Sequence, residues 1–182
     1  FCKTGFASEE SPRSVFPTIV GTPRHKGSFI GSQSQDSYVG NQAFSKIGIL
    51  NIDYPVRSGF VMNWNELIQL LQYSFENELH THSNEHPVLF SESIRSDKKQ
   101  REKTVQVFFE TFQVPLFSVC KQSFLSICST GQKTGLSIDI GHETVQIVPV
   151  HDCQSLQSAS TCLSFGGREL TNLFLKALKD RG

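Results

Sequence analysis

The residues best placed to do chemistry are Asp139-Ile140-Gly141-His142-Glu143-Thr144. An Asp near the end of an apolar strand, followed at once by a Gly turn, suits a phosphate-and-metal site. Its carboxylate can hold a hydrated Mg²⁺, and N–H groups of the turn can cradle phosphate oxygens. Alone, D-x-G is a weak signal and more often marks an ordinary hairpin turn, and both readings stand at this point. Two other groups are weaker. His80, His82 and His86 are close in sequence, but zinc ligands converge from fixed geometry, usually with Cys. Glu85-His86-Pro87 reads as a loop, so these are read as surface histidines. His151-Asp152-Cys153 holds triad residue types consecutively. Adjacent side chains diverge on a strand, and triads are assembled from distant sequence.

The elements that must position the Asp139 turn are legible on either side of it. Gly135–Gly141 and Val145–Val150 read as two strands joined by Gly141-His142-Glu143-Thr144, a hairpin. A helix over 122–129 precedes them and stops near Gly131. A helix over 167–181 follows, with Leu170, Leu173, Phe174, Ala177 and Leu178 at helical spacing. Further upstream, Phe16–Gly21 and Gly48–Ile52 read as strands, and Gly27–Gln35 as a mobile loop with Phe29-Ile30 exposed at its centre. Asn63 is placed to cap a helix over 64–79, with Glu66 three residues on as in a capping box. Trp64, Leu67, Ile68, Leu71, Phe75 and Leu79 form its apolar stripe. Val88–Phe90 is a short strand. A helix over 97–112 is solvated in its first half and buries Val105, Phe108, Phe109 and Phe112 in its second. Val114-Pro115 ends it, and Leu116–Cys120 is a strand. Helices and strands mixed in this order predict an α/β fold.

Composition narrows the function classes. The chain has 182 residues, with 17 basic and 17 acidic side chains. Zero formal net charge argues against a nucleic-acid binder that relies on phosphate contacts. Hydrophobic residues at 37% and charged residues at 19% indicate a globular chain. Fifteen Phe against one Met and one Trp supply the aromatic bulk of its core. Five Cys without a C-x-x-C pair suggest neither a disulfide framework nor a zinc ribbon, and read as buried free thiols in a reducing compartment. No apolar run approaches the ~18 residues of a membrane span. Phe1-Cys2-Lys3 has no signal-peptide pattern, and the chain reads as a piece of something longer.

From end to end the sequence resembles the first half of an actin. The stretches that carry the resemblance include Cys2-Lys3-Thr4-Gly5-Phe6-Ala7, Pro12-Arg13, Val15-Phe16-Pro17, Ile19-Val20-Gly21 and Pro23-Arg24-His25. They continue with Asp36-Ser37-Tyr38-Val39-Gly40, Gly48-Ile49-Leu50, Tyr54-Pro55, Asn63-Trp64 and Asn77-Glu78-Leu79. Further on come Glu85-His86-Pro87-Val88-Leu89, Arg101-Glu102-Lys103, Phe109-Glu110-Thr111-Phe112 and Gly167-Arg168-Glu169-Leu170-Thr171. The resemblance implies the actin-like ATPase fold, with its ribonuclease-H-like motif, in which two lobes close on ATP and Mg²⁺ or Ca²⁺. It divides the chain into 1–17 with 55–129 as part of subdomain 1, 18–54 as subdomain 2, 130–165 as part of subdomain 3, and 166–182 as the start of subdomain 4. The fold is expected to be incomplete, a first lobe plus the beginning of the second.

By the same resemblance, Lys3 matches the lysine that reaches the nucleotide phosphates. Gln122 matches the glutamine that positions the attacking water, Asp139 with Gly141 the second phosphate loop and its metal, and Gly167 with Arg168 residues flanking the cleft. Arg24 to Gly40 matches the loop that makes longitudinal filament contacts, which makes Arg24, His25, Phe29, Ile30 and Tyr38 the partner-binding candidates. The departures are specific. The second loop of the family reads D-S-G-D-G-V-T. Here Ile140 replaces its Ser, His142 its second Asp and Glu143 its second Gly. Glu143 adds a charge and a side chain where the family brings backbone close to phosphate. Gln146 and Ser58 stand where the family has histidines, and its first phosphate loop would precede Phe1. The expectation is an actin-like cytoskeletal protein of the cytoplasm or nucleus that binds actin or actin-binding proteins. ATP binding is expected to be weak or absent, and hydrolysis lost. The isolated chain is expected to self-associate or aggregate through bared apolar area at Phe124, Leu170, Phe174 and Leu178. The alternatives are a nucleotide-independent binding module, a decayed fragment, or an ATP-hydrolysing actin completed by further segments.

Overall fold

The computed structural model describes residues 1–24 and 36–181. The chain divides into two units, one of Phe1–Arg57, Val61–His86 and Gln106–Pro115, the other of Ser58–Phe60, Pro87–Val105 and Leu116–Gly182.

In the first unit, β1 (Cys2–Thr4) pairs antiparallel with β2 (Ser14–Phe16). The strand expected at Phe16–Gly21 is two strands instead. Pro17 has no N–H to give a ladder, so β2 ends at Phe16 and β3 (Val20–Pro23) begins a second sheet. β3 lies between β4 (Tyr38–Val39) and β5 (Leu50–Asp53). A helix α1 (Gly40–Ser45), not foreseen in the sequence, follows β4 directly. α2 (Trp64–Tyr73) is capped as expected by Asn63, whose Oδ1 accepts from Asn65 N–H at 3.1 Å and Glu66 N–H at 3.3 Å. Glu66 reaches back to the Asn63 side-chain amide at 2.7 Å, in place of the backbone N–H of a full capping box. The helix continues as a π-helical turn over Ser74–Leu79 and stops at His80, which adopts φ 53°.

Phe16, Val20, Val39 and Leu70 form one buried cluster, and Ile19, Tyr38, Ala43 and Leu50 another. The Phe16 ring meets Tyr73 edge-on with centroids 5.2 Å apart. Burial, then a hydrogen bond with Glu78, pushes the Tyr73 phenol up to about 12. Gly40 has φ 57°, and a Cβ there would lie 2.9 Å from Phe16 Cδ2 and 3.1 Å from Tyr73 Cε1. Gly40→Ala is therefore expected to cost about 1–3 kcal/mol, from backbone strain and overpacking together. Urea unfolding of the two proteins measures it, and an equal midpoint would contradict the packing described.

In the second unit, β6 (Val88–Glu92) pairs parallel with β7 (Phe117–Lys121). Between them in sequence, α3 (Lys98–Gln106) starts on Asp97, whose Oδ1 accepts from Gln100 N–H at 2.7 Å. It runs into a π-helical turn, Val107–Thr111, which belongs to the first unit. Val107, Phe108 and Phe112 are buried there, while Phe109, expected in the core, is exposed. α4 (Gln122–Cys128) leads to the expected hairpin of β8 (Gly135–Ile140) and β9 (Val145–His151). β9 also pairs with β10 (Gln154–Ser155) and β11 (Thr161–Leu163). α5 (Gly167–Lys179) closes the chain, with Leu170, Leu173, Phe174 and Leu178 all exposed. Phe124 is half-buried. All five thiols are free. Cys128 and Cys153 are exposed, which departs from the uniform burial expected.

Candidate functional site

The Asp139 hairpin and the start of α5 are built into one junction. Register pairs Asp139 with Gln146 and Ile140 with Val145, which leaves Gly141–Thr144 as the turn. Gly141 N–H donates to Thr144 O at 2.9 Å, tightening it. The turn then hands its own carbonyls to α5: Gly167 N–H donates to Gly141 O at 3.0 Å and Arg168 N–H to His142 O at 2.9 Å. Helix N–H groups with no partner in the first turn are thereby satisfied. Glu169 Oε2 accepts from Gly166 N–H at 2.9 Å and completes the cap. A Cβ on Gly166 would lie 2.5 Å from His142 O, so this approach requires glycine.

Glu143 is tied on both oxygens. Its Oε2 accepts from Ser58 N–H at 2.6 Å and from the Ser58 hydroxyl at 3.2 Å. Its Oε1 pairs with Arg168 Nη1 at 2.8 Å. Arg168 Nε contacts Glu169 Oε1 at 3.2 Å. Ser58 lies between the extended pairs Val56–Arg57 and Phe60–Val61. The charge that Glu143 is expected to add beside phosphate has a guanidinium partner.

A second polar group, missed in the sequence, lies at the ends of β6 and β7. Glu92 is 7% exposed. Its Oε1 accepts from Arg101 Nε at 3.0 Å and Lys121 Nζ at 2.9 Å. Burial pushes the Glu92 carboxyl up, but hydrogen bonds from Arg101, Lys121 and Ser96 outweigh it and hold the group below the usual carboxylate range. Lys121 also donates to Ser93 O at 3.0 Å. Buried Gln146 accepts from Ile94 N–H at 3.2 Å and Ser93 Oγ at 3.3 Å. The available signal was a Glu closing an apolar strand with a Lys closing the next, since a buried charge needs a partner.

Of the expected site residues, Asp139, Gly141, Gly167 and Arg168 are brought into the junction, with Asp139 exposed at the penultimate position of β8. Gln122 is the first residue of α4, exposed, directly after Lys121. Lys3 is exposed on β1, in the first unit. Arg24 donates through Nε to Leu50 O at 3.1 Å, which anchors it to β5. Tyr38, expected at a partner-binding surface, is only 3% exposed, with Lys46 Nζ 3.9 Å from its ring centroid. Its ring belongs to the core of the small sheet. His25, Phe29 and Ile30 lie outside the described residues.

For a polyphosphate with its cation, the donor set of the junction is a poor chemical match. Two N–H groups of α5 already serve the turn carbonyls. The Arg168 guanidinium contacts two carboxylates. Asp139 remains as an exposed oxygen ligand for a cation. Among the described residues, no group of three or more His, Cys, Asp or Glu is arranged to hold a metal ion. No helix among them is long and apolar enough to cross a membrane. Compared with known proteins, the chain matches the family model described as Actin over residues 1–182, its whole length.

Proposed function

The chain belongs to the actin family, and from that premise we propose that it works in the actin cytoskeleton as a nucleotide-independent binding partner. The observation that supports this reading is Glu143. A carboxylate in the phosphate turn, held by Ser58 and Arg168, takes up groups that would otherwise face an anion. ATP binding is then weak and hydrolysis lost. Asp139 and Gln122 persist as residue types without a nucleotide to serve. The cytoplasm, with the nucleus as a second compartment, is the setting such a role requires.

Partner binding is assigned to the segment Arg24 to Gly40, with Arg24 bonded to Leu50 O. Phe29 and Ile30 supply apolar side chains suited to a hydrophobic groove on a neighbouring subunit. One segment of this length buries far less than the ~1,600 Å² of a standard interface, so binding is weak and does not propagate as polymerisation. The exposed face of α5, where Phe174 is 64% and Leu173 66% exposed, favours self-association of the isolated chain. Co-sedimentation with preformed actin filaments tests the segment. The wild type is expected to pellet above background and the double variant Phe29→Ser, Ile30→Ser to remain in the supernatant. Equal pelleting of both, or of neither, would remove the segment from the account.

A further inference from the structure

The two oxygens of Glu143 sit on three donors contributed by two distant segments: Ser58 N–H, the Ser58 hydroxyl and Arg168 Nη1. A backbone amide, a hydroxyl and a guanidinium converging on one site is the donor set that recognises oxyanions such as phosphate. The Ser58 segment is held in a costly shape. Ser58 has φ 50° and Gly59 φ 85°. Ser93 stands against that turn, with its Oγ 2.7 Å from where a Gly59 Cβ would be. A non-glycine residue at positive φ persists only where its surroundings over-determine it. The hydrogen bonds from Ser58 to Glu143 are such a constraint. Glu169 is the other carboxylate on Arg168, through Nε, and it leaves Nη1 to Glu143.

We propose that Ser58 and Arg168 form an oxyanion cradle whose occupant is the chain's own Glu143 carboxylate, standing where inorganic phosphate would bind. The carboxylate clasps the Ser58–Gly59 turn to the hairpin turn without a ligand, and its charge repels a phosphate dianion. The inference rests on the nucleotide-independent reading and supplies the device behind it. The junction keeps a closed arrangement permanently, where a bound anion would otherwise have to hold it.

Amide hydrogen exchange at Ser58 in the full chain tests this, in wild type, Glu143→Ala and Glu143→Gln. Each is measured without phosphate, with about 10 mM inorganic phosphate, in excess of a millimolar dissociation constant, and with chloride at equal ionic strength. The wild-type Ser58 amide is expected to be protected and indifferent to phosphate. In Glu143→Ala it should exchange about ten- to hundredfold faster, the loss of one charge-assisted hydrogen bond. Phosphate should restore the protection and chloride should not. Glu143→Gln keeps the shape and one oxygen acceptor, so its exchange should fall between the two, also with a phosphate response. If Glu143→Ala fails to fold, Glu143→Gln decides by the same criterion. Wild-type exchange that slows with phosphate would overturn the proposal. So would a folded variant that exchanges like wild type, or one that phosphate does not restore. Tight ATP binding by the wild type would sink the nucleotide-independent reading and leave these exchange results interpretable. Failure here removes the clasp and leaves that reading to its own test.

Discussion

Glu92→Ala should be among the most destabilising single changes in the second unit, costing about 3–5 kcal/mol, because it strands a buried ammonium without its counter-charge. Lys121 has a side chain only 15% exposed, and Glu92 is its carboxylate partner at 2.9 Å. The remaining acceptors of Lys121 are the carbonyls of Ser93 and Ser96. Those neutral groups cannot balance the charge. Removing Lys121 is milder, since Arg101 still pairs with Glu92 and is itself half in water. The expected order of loss is thus Glu92→Ala, then Lys121→Met, then Arg101→Met. For a domain whose whole stability is about 5–15 kcal/mol, the first loss should appear as early unfolding in urea followed by circular dichroism. A midpoint for Glu92→Ala within about 1 kcal/mol of wild type would contradict the network.

The same carboxylate sets a pH dependence. Its folded pKa lies below the usual carboxylate value, through the hydrogen bonds of Arg101 and Lys121 against the opposing effect of burial. The unfolded state then binds the proton more readily. The stabilisation is complete above the unfolded pKa and is lost as pH falls through the folded one. Glu92→Gln should flatten the acid side of the stability profile while leaving its alkaline side in place.

What was legible in the sequence was local. The Asn63 cap, the stripe of α2 and the Gly141 turn depend on residues a few positions apart, and each is found where expected. What was missed depends on tertiary partners or on backbone detail. α1 begins on a glycine at positive φ and lasts six residues, too short for a hydrophobic period to be read. Pro17 divides the expected strand over Phe16–Gly21 because it has no N–H for a ladder, a signal that is present in the sequence. Tyr38 is a contact candidate only through the resemblance of Arg24 to Gly40 to a filament-contact segment, whereas its ring is buried with Ile19, Ala43 and Leu50. The partner of Glu143 is not legible in the sequence because Ser58, which donates to it, is 85 positions away. Arg168 was named as a candidate, yet its pairing with Glu143 could not be read from spacing. Charged residues are placed by three-dimensional partners, and one chain gives no periodic signal for them.

Titration of labelled ATP into the purified chain with Mg²⁺ tests the central claim most directly. The Asp139 turn keeps its aspartate and Gly141. It places Glu143 where close backbone approach would be needed, and commits the first N–H groups of α5 to its own carbonyls. Ser58 and Arg168 are already committed to Glu143, so a phosphate would forgo charge-assisted hydrogen bonds of about 1.5–3 kcal/mol each, and two such losses remove micromolar affinity. The account predicts no saturable binding tighter than about 10 μM, which corresponds to about −7 kcal/mol, and no phosphate release above the buffer rate. Saturable binding by the wild-type chain below that concentration would contradict it, and hydrolysis accompanying that binding would place the protein among the nucleotide-cycling members of its family.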